Sequence, residues 1–394
     1  MSRGVKIQKG SDDMKVEEKK ISLIVVGICL TLGVTTSICC PLSSKAQGGP
    51  PRYEVDPSWP KPLPDKWVTG AVSGVCTDSQ DHVFIINRGN LTENELDSGR
   101  QAPPVIEFDS QGNVVNSWGD RETLPEGLHG CFVDYQNNVW IAGSNDGFIQ
   151  KYSHDGGKLL LQIGVKGTAD SSDGTIKGIA LNSSHVGFYR PSGIGVDPGN
   201  GDVYVSDGEE PGSNHRVAVF DRNGRFLRQW LLHRTKAEAE AGEGDEFMQV
   251  PHCVAIGKDG LVYVCDRRGD RVQVFDKMGN FQREIAVPYE KRSQYTPQPG
   301  HVSQALGTAV WLGFSADQAN KFTFILNEDN EQVDILDLSS GKVLSTFGRA
   351  GHFIGGLTFA HTLAVDSKNN IYVGEAGGEE AGNRIQKFKL VSNQ

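Results

Sequence analysis

Positive charge, methionine and cysteine are all scarce in this sequence. Its 39 Lys and Arg are outnumbered by 49 Asp and Glu, which gives a net charge of −10. Nucleic-acid binding is therefore not expected, since it needs clustered basic side chains to displace counterions from phosphates. Only 4 Met occur beside 48 Gly in 394 residues, and so many turn-forming residues argue against a helix bundle. The composition favours a turn-rich globular protein.

Cysteine excludes one kind of metal site and leaves another question open. Three of the 7 Cys precede residue 46, which leaves Cys76, Cys131, Cys253 and Cys265. No Cys-x-x-Cys pair occurs, so a zinc site built from thiolates is not expected. An even number of cysteines in an exported chain permits disulfides, but small buried thiols fit the same residues. The sequence leaves both states open.

The N-terminus has the features of a targeting segment. An uncharged run extends from Ile21 to Cys40 and is followed by the small-residue site Ser44-Lys45-Ala46. We predict a signal peptide over residues 1–46, with an uncleaved membrane anchor as the alternative because the run is long enough to span a bilayer. Residues 47–67 are predicted to be a proline-rich lead-in. The expected location is secreted, periplasmic or extracellular, or single-pass membrane-anchored if cleavage does not occur.

The rest of the chain repeats one pattern six times. Each unit has an apolar strand, a turn rich in Asn, Asp and Gly, and a second strand of alternating Val, Tyr and Ile. The turns are marked by Asp78, Asp134, Asp197, Gly257, Asp317 and Asp366, at a mean spacing of about 58 residues. Several units continue into a third and a fourth strand joined by a hairpin turn. One all-β domain over residues 68–392 is predicted, a six-bladed β-propeller with four-stranded blades around a central tunnel. The alternatives are a β-sandwich or a chain of separate small domains.

Three histidines occupy the same position in alternate units. Counting back five residues from each turn mark reaches His129, His252 and His361 in the second, fourth and sixth units. The other three units have Ser73, Ser192 and Leu312 there. In a closed six-fold ring, alternate blades lie about 120° apart, so three imidazoles at one height converge on the axis. Such a set suits Zn²⁺ and leaves a fourth position open for water or substrate.

Two arginines share a second equivalent position. Counting forward ten residues from the marks reaches Arg88 in the first unit and Arg267 in the fourth, on opposite blades. Arginine often ends a strand in solvent. Because Arg88 and Arg267 lie on opposite blades beside the predicted metal site, we expect them instead to bind a substrate carboxylate through paired hydrogen bonds.

The strand sequences Val203-Tyr-Val-Ser-Asp207 and His215-Arg-Val-Ala-Val-Phe220 resemble those of the NHL-repeat family of six-bladed propellers. Within that family, the set of three histidines and two arginines resembles the site of the peptidyl-α-hydroxyglycine α-amidating lyases. The motifs that match that family's zinc histidines and functional arginines are His129-Gly130, Val250-Pro251-His252, Ala360-His361, Asn87-Arg88-Gly89 and Asp266-Arg267. The resemblance implies a zinc enzyme that cleaves a C-terminal α-hydroxyglycine into a peptide amide and glyoxylate.

The sequence departs from that family at two places. The family's catalytic Tyr follows Ser-Asp-Gly, whereas Ser206-Asp207-Gly208 is followed here by Glu209. We interpret Glu209 as a candidate base, with a solvated acidic loop as the alternative. The Asp that binds a structural Ca²⁺ in the family is replaced by Thr362, so the resemblance does not extend to that ion.

These observations predict a secreted, monomeric, zinc-dependent lyase acting on a carboxylate-bearing carbinolamide. Its partner would be a small molecule or a peptide C-terminus, with no nucleic acid, and with a membrane only if the N-terminal segment remains. Two alternatives stay open. One is a metal-dependent hydrolase, such as a lactonase or esterase, on the same scaffold. The other is a non-catalytic NHL propeller that binds peptide or carbohydrate.

Overall fold

Six four-stranded antiparallel sheets form the protein, each made of strands that follow one another along the chain. A computed structural model describes residues 49–168, 187–209, 213–241, 249–290, 306–377 and 382–392. The predicted six-bladed propeller with four-stranded blades is confirmed. The predicted signal or anchor over residues 1–46 lies outside the described residues.

The blades are numbered in chain order from their innermost strand outwards. Blade 1 contains β3 (Val72–Thr77), β4 (Val83–Asn87), β6 (Val105–Phe108) and β7 (Val114–Trp118). Blade 2 contains β8 (Leu128–Val133), β9 (Val139–Gly143), β10 (Phe148–Tyr152) and β11 (Leu159–Gly164). Blade 3 contains β12 (Pro191–Val196), β13 (Val203–Asp207), β14 (Arg216–Phe220) and β15 (Phe226–Leu231).

The second half of the ring follows the same plan. Blade 4 contains β16 (Pro251–Ile256), β17 (Val262–Asp266), β18 (Arg271–Phe275) and β19 (Phe281–Ala286). Blade 5 contains β20 (Ala309–Phe314), β21 (Phe322–Asn327), β22 (Gln332–Asp337) and β23 (Val343–Phe347). Blade 6 contains β24 (Ala360–Val365), β25 (Ile371–Glu375), β26 (Ile385–Ser392) and, as its outermost strand, β1 (Arg52–Val55). Short elements decorate the blades: a parallel pair of β2 (Trp67–Val68) and β5 (Arg100–Gln101), a 3₁₀ turn (Pro64–Lys66), and helices α1 (Glu93–Ser98) and α2 (Lys236–Ala241).

Blade 6 is completed by a strand from the other end of the domain. Tyr53 of β1 pairs with Leu390 of β26, and Val55 pairs with Phe388. The Tyr53 ring stacks on Phe347 of blade 5 at 4.9 Å between ring centroids. Residues 52–55 fall within the predicted lead-in, so the propeller includes a strand that precedes residue 68.

Buried aromatic rings explain why the blades pack side by side. The second strands carry a ring at corresponding places, and all of these rings are at most 1% exposed: Phe84, Trp140, Tyr204, Tyr263, Phe324 and Tyr372. Apolar side chains of neighbouring blades pack around them in continuous clusters. A four-stranded sheet alone leaves such rings in water, so each blade needs its neighbours for stability.

Side-chain carboxylates close the turns that separate the first and second strands. The Oδ1 atom of Asp134 accepts hydrogen bonds from the backbone N–H groups of Gln136 and Asn138, both at 2.9 Å. Asp78 and Asp366 make the same two bonds in their blades. This local bonding is why Asp marks the turn in the sequence.

The four cysteines outside the N-terminal segment are paired. Cys76 of β3 is bonded to Cys131 of β8, which joins the inner strands of blades 1 and 2. Cys253 and Cys265 join the first two strands of blade 4. The disulfide alternative left open by the sequence is the one that the structure contains.

Across the residues that the structure describes, the helices are all too short or too polar to span a lipid bilayer.

Candidate metal centre

The three predicted histidines meet at the centre of the ring. His129, His252 and His361 are each the second residue of an inner strand, in β8, β16 and β24. Their ring centroids lie 4.6, 4.8 and 4.9 Å apart, close to an equilateral triangle. All three side chains are at most 2% exposed.

The register of blade 5 corrects one predicted equivalence. Leu312 was expected at the position of the histidines, but the second residue of β20 is Val310. The backbone N–H of Ser315 bonds to Phe322 O, as the turn Asp does in other blades, so Ser315 rather than Asp317 occupies the first turn position. The turn is longer here, and counting back from Asp317 therefore ends two residues too late.

Each imidazole is oriented by the neighbouring blade. The Nδ1 atoms of His129, His252 and His361 lie 3.1, 2.7 and 3.1 Å from the carbonyl oxygens of Ser192, Val310 and Ser73 respectively. A carbonyl oxygen only accepts, so each Nδ1 carries the proton and donates. In the neutral imidazole the lone pair then lies on Nε2, the atom available to a metal.

Glu209 lies between two of these Nε2 atoms. It follows β13 by two residues, and its backbone N–H donates to Arg190 O at 3.1 Å. Its Oε1 lies 3.3 Å from His129 Nε2 and its Oε2 lies 2.9 Å from His252 Nε2. The side chain is 11% exposed. The position predicted to be open for water or substrate is therefore next to a carboxylate.

Burial and charge set the protonation of this cluster. Burial lowers the pKa of His252 to about 4, against the opposing effect of Glu209. Burial, with His129 and His252 beside it, holds the pKa of His361 well below its ordinary value. For Glu209, burial favours the neutral form, but His252 and His129 outweigh it and hold its pKa well below the usual range. At neutral pH the cluster combines an ionised carboxylate with neutral His252 and His361.

A metal ion fits these residues. His129 Nε2, His252 Nε2 and Glu209 Oε2 are buried and have no hydrogen-bond partner among the described atoms. Contacts of 2.9 and 3.3 Å between these atoms require a positive charge between them. A proton on Nε2 supplies it when it lowers the pKa of Glu209, and a metal ion supplies it when the imidazoles are neutral. Four side chains, His129, Glu209, His252 and His361, offer ligand atoms that lie within 4.8 Å of one another.

Arg267 is held beside the cluster by a second carboxylate. Its Nε donates to Glu328 Oε2 at 2.8 Å, and its Nη1 lies 3.6 Å from Glu209 Oε1. Arg267 and Glu328 each follow directly after the second strand of their blades, β17 and β21. Burial raises the pKa of Glu328 to about 7, although Arg267 opposes this. Sequence reasoning missed Glu328, and the signal that could have found it is this shared position.

Arg88 occupies the corresponding place after β4 in blade 1. Its Nε donates to Leu128 O at 2.9 Å, one residue before His129. Its charge is among those that lower the pKa of His361. Both predicted arginines therefore lie at the histidine cluster, on opposite blades.

Two stretches match the model of the NHL repeat, residues 188–220 and 248–275. These two stretches, in blades 3 and 4, are similar to the NHL repeat. It is 29% identical to NHL repeat-containing protein 3 of Homo sapiens, over 57% of this chain and 57% of that protein. The chain thus spans little more than half the length of this relative.

The predicted resemblance to the amidating proteins is also confirmed. The chain is 26% identical to peptidyl-glycine α-amidating monooxygenase A of Xenopus laevis, over 86% of this chain and 33% of that protein. It is 21% identical to a probable peptidyl-α-hydroxyglycine α-amidating lyase of Caenorhabditis elegans, over 78% of this chain and 80% of that protein. The first of these relatives is about three times longer than the part that aligns.

Proposed function

We propose that this protein is a zinc-dependent lyase that splits a carboxylate-bearing carbinolamide into an amide and glyoxylate. The observation that supports it best is the triangle of buried imidazoles, two of which contact Glu209 through Nε2, with Arg88 and Arg267 at the same cluster. Relatives named as amidating enzymes support the same reaction class. The substrate would be a peptide C-terminus or a small molecule of the same chemistry.

His129, His252 and His361 would hold the metal through Nε2. A zinc ion bound there supplies Lewis acidity toward an oxygen ligand. Glu209 accepts the proton of the carbinol hydroxyl and returns it to the amide nitrogen as the C–N bond breaks. Glu209 therefore ends the reaction in the ionised state in which it began. The hydroxyl oxygen becomes the aldehyde oxygen of glyoxylate.

The two arginines would position the substrate. A carboxylate between Arg88 and Arg267 receives charge-assisted hydrogen bonds from opposite sides of the site. Arg267 already donates to Glu328, which fixes its guanidinium before the substrate arrives and lowers the entropy cost of binding. Location outside the cytosol is part of this proposal, and the two disulfides suit an oxidising compartment. We propose that the monomer is the active form.

The test is a glyoxylate assay on α-hydroxyhippurate with metal-loaded protein. Turnover should require the metal, and Glu209→Gln should lower kcat by about 10² or more while metal content stays unchanged. Glu122→Gln is the matched control, because Glu122 is exposed on a turn and should leave kcat unaltered. Absence of glyoxylate from the fully loaded wild type would refute the lyase proposal.

The position of Glu209 favours one alternative, a non-catalytic propeller with a closed metal site. Three imidazoles and a carboxylate make four ligands, the number found in structural zinc sites. The similarity to NHL repeat-containing protein 3, whose name states no activity, is compatible with this reading. In that case Glu209→Gln lowers metal affinity, and no substrate of the carbinolamide class is turned over.

A further inference from the structure

A second histidine–carboxylate cluster lies at the opposite ends of the blade strands, around the turn that follows β3. Asp78, His82 and Glu107 each offer a ligand atom, and these atoms lie within 4.8 Å of one another. His82 Nδ1 is 2.6 Å from Glu107 Oε1 and 3.8 Å from Asp78 Oδ2. The side chains of Asp78 and Glu107 are 0% and 5% exposed, so both carboxylates are buried.

Two other blades place a lysine at the position of Glu107, whereas blades 3, 4 and 5 have the apolar residues Val219, Val274 and Ile335 there. In blade 2, Lys151 is opposite Trp140 in the strand pairing, and its Nζ lies 3.0 Å from Asp134 Oδ2. In blade 6, Lys387 is opposite Tyr372, and its ammonium attracts the Asp366 carboxylate. The turn Asp is thus faced by a lysine of the third strand in both blades.

Blade 1 reverses the sign of this contact. Glu107 is opposite Phe84 in the same register, so it takes the place of Lys151 and Lys387. His82 likewise replaces the residue that is Asn138 in blade 2, which bonds to Asp134 through its side-chain amide. A lysine and an amide have been exchanged for a carboxylate and an imidazole, both of which can bind a metal.

The neighbouring blade adds a fourth group. His154, in the turn after β10, places its Nε2 2.8 Å from Asp78 Oδ2. The corresponding turn of blade 4 supplies Lys277, which pairs with the turn Asp197 of blade 3. His154 therefore occupies in blade 2 the position that Lys277 occupies in blade 4. Within the described ranges, the ion pairs of Asp78 and Glu107 involve only His82 and His154.

We propose that Asp78, His82 and Glu107 bind a divalent transition-metal cation, Zn²⁺ in the first instance. Two buried carboxylates need a compensating charge, and the cation supplies it where blades 2 and 6 use a lysine of the third strand. Asp78 Oδ2, His82 Nδ1 and Glu107 Oε1 are the ligands. His82 Nδ1 and Glu107 Oε1 share a hydrogen bond in the metal-free protein, and the cation displaces that proton to solvent. His154 is a positioning residue that hydrogen-bonds to the Asp78 carboxylate, as outer groups commonly do around protein metal sites. This site is independent of the central histidine triangle.

The experiment counts metal equivalents in the full-length chain. Chelator-treated protein is dialysed against excess ZnCl₂, washed by gel filtration and measured by elemental analysis. Wild type should retain two equivalents, whereas the double variant His82→Asn with Glu107→Lys should retain one. That variant restores the Asn and Lys of blade 2, so it replaces the site by a combination this fold already uses.

Three further samples complete the test. Replacing the three central histidines by alanine should leave one equivalent, and combining both sets of substitutions should leave none. His352→Ala, the control, removes an exposed histidine and should keep two equivalents. The proposal is overturned if the variant lacking the three central histidines retains no metal, or if the blade 2-like variant retains as many equivalents as wild type.

Discussion

The two disulfides should differ in their contribution to stability, because they close loops of very different length. The sequence separation is 55 residues for the disulfide between blades 1 and 2, and 12 residues for the one within blade 4. Loop-closure entropy assigns about 4.2 kcal/mol to the longer loop and about 2.8 kcal/mol to the shorter one at 25 °C. Replacing both cysteines of a pair by alanine should remove these amounts from the free energy of unfolding.

The measurement is a comparison of the two double-alanine variants with wild type by denaturant unfolding and by thermal scans at one scan rate. For a domain of this length, the thermal midpoint moves by about 1.4 °C per kcal/mol, so losses of about 6 and about 4 °C are expected. All four cysteines are buried, so the alanine substitutions cost similar packing in both variants. A larger loss for the short loop, or free thiols detected by alkylation of the native protein, would refute the reasoning.

Two further substitutions, Arg216→Ala and Tyr53→Ala, test buried contacts away from the central site, and Arg225→Ala is an exposed control. Arg216→Ala removes the ion pair between Arg216 and Asp207, which is 2.8 Å long and almost fully buried. Its loss should lower the free energy of unfolding by about 3 to 5 kcal/mol. Burial raises the pKa of Asp207 to about 6, so its contribution to stability is present below about pH 4 and falls as pH rises through 6. Without Arg216 the fall should steepen, which thermal midpoints at pH 5 and pH 8 will show. Arg225→Ala breaks an exposed pair and should cost less than about 1 kcal/mol. Tyr53→Ala removes the ring stacked on Phe347 and should cost about 3 kcal/mol, with faster proteolysis of the N-terminal strand; unchanged cleavage would contradict a closing role for that strand.

The blade count and the histidine triangle could be predicted because both rest on local patterns. The turn carboxylate of Asp134 bonds to backbone groups two and four residues on, so the same residue type recurs at the same place. His129 then falls at a fixed distance before its turn. Side chains along a β-strand alternate between its two faces. Residues at the same distance before the turn therefore face the same way in each blade, and this allows the histidines of different blades to be compared from the sequence alone.

The features that were missed depend on contacts that are distant in sequence or on an irregular turn. The strand Arg52–Val55 pairs with the last strand of the chain, and nothing in its four residues encodes that partner. Glu328 was missed because the turn of blade 5 is longer than the others. Counting forward from Asp317 therefore does not align Glu328 with Arg267. Glu209, by contrast, was named from the sequence as a candidate base. Its exact place between the imidazoles follows from the path of the loop after β13, which propensity does not specify.

The hydrogen bonds that orient the imidazoles also determine at which stage of folding the histidine triangle forms. His361 of blade 6 donates to Ser73 O of blade 1, across the seam where the first and last parts of the domain meet. The third ligand is therefore aimed only after ring closure, which needs the complete chain. If a metal binds there as proposed, its uptake and the closure of the ring are thermodynamically linked. The bound ion would then stabilise the closed seam, and any change that opens the seam would release it.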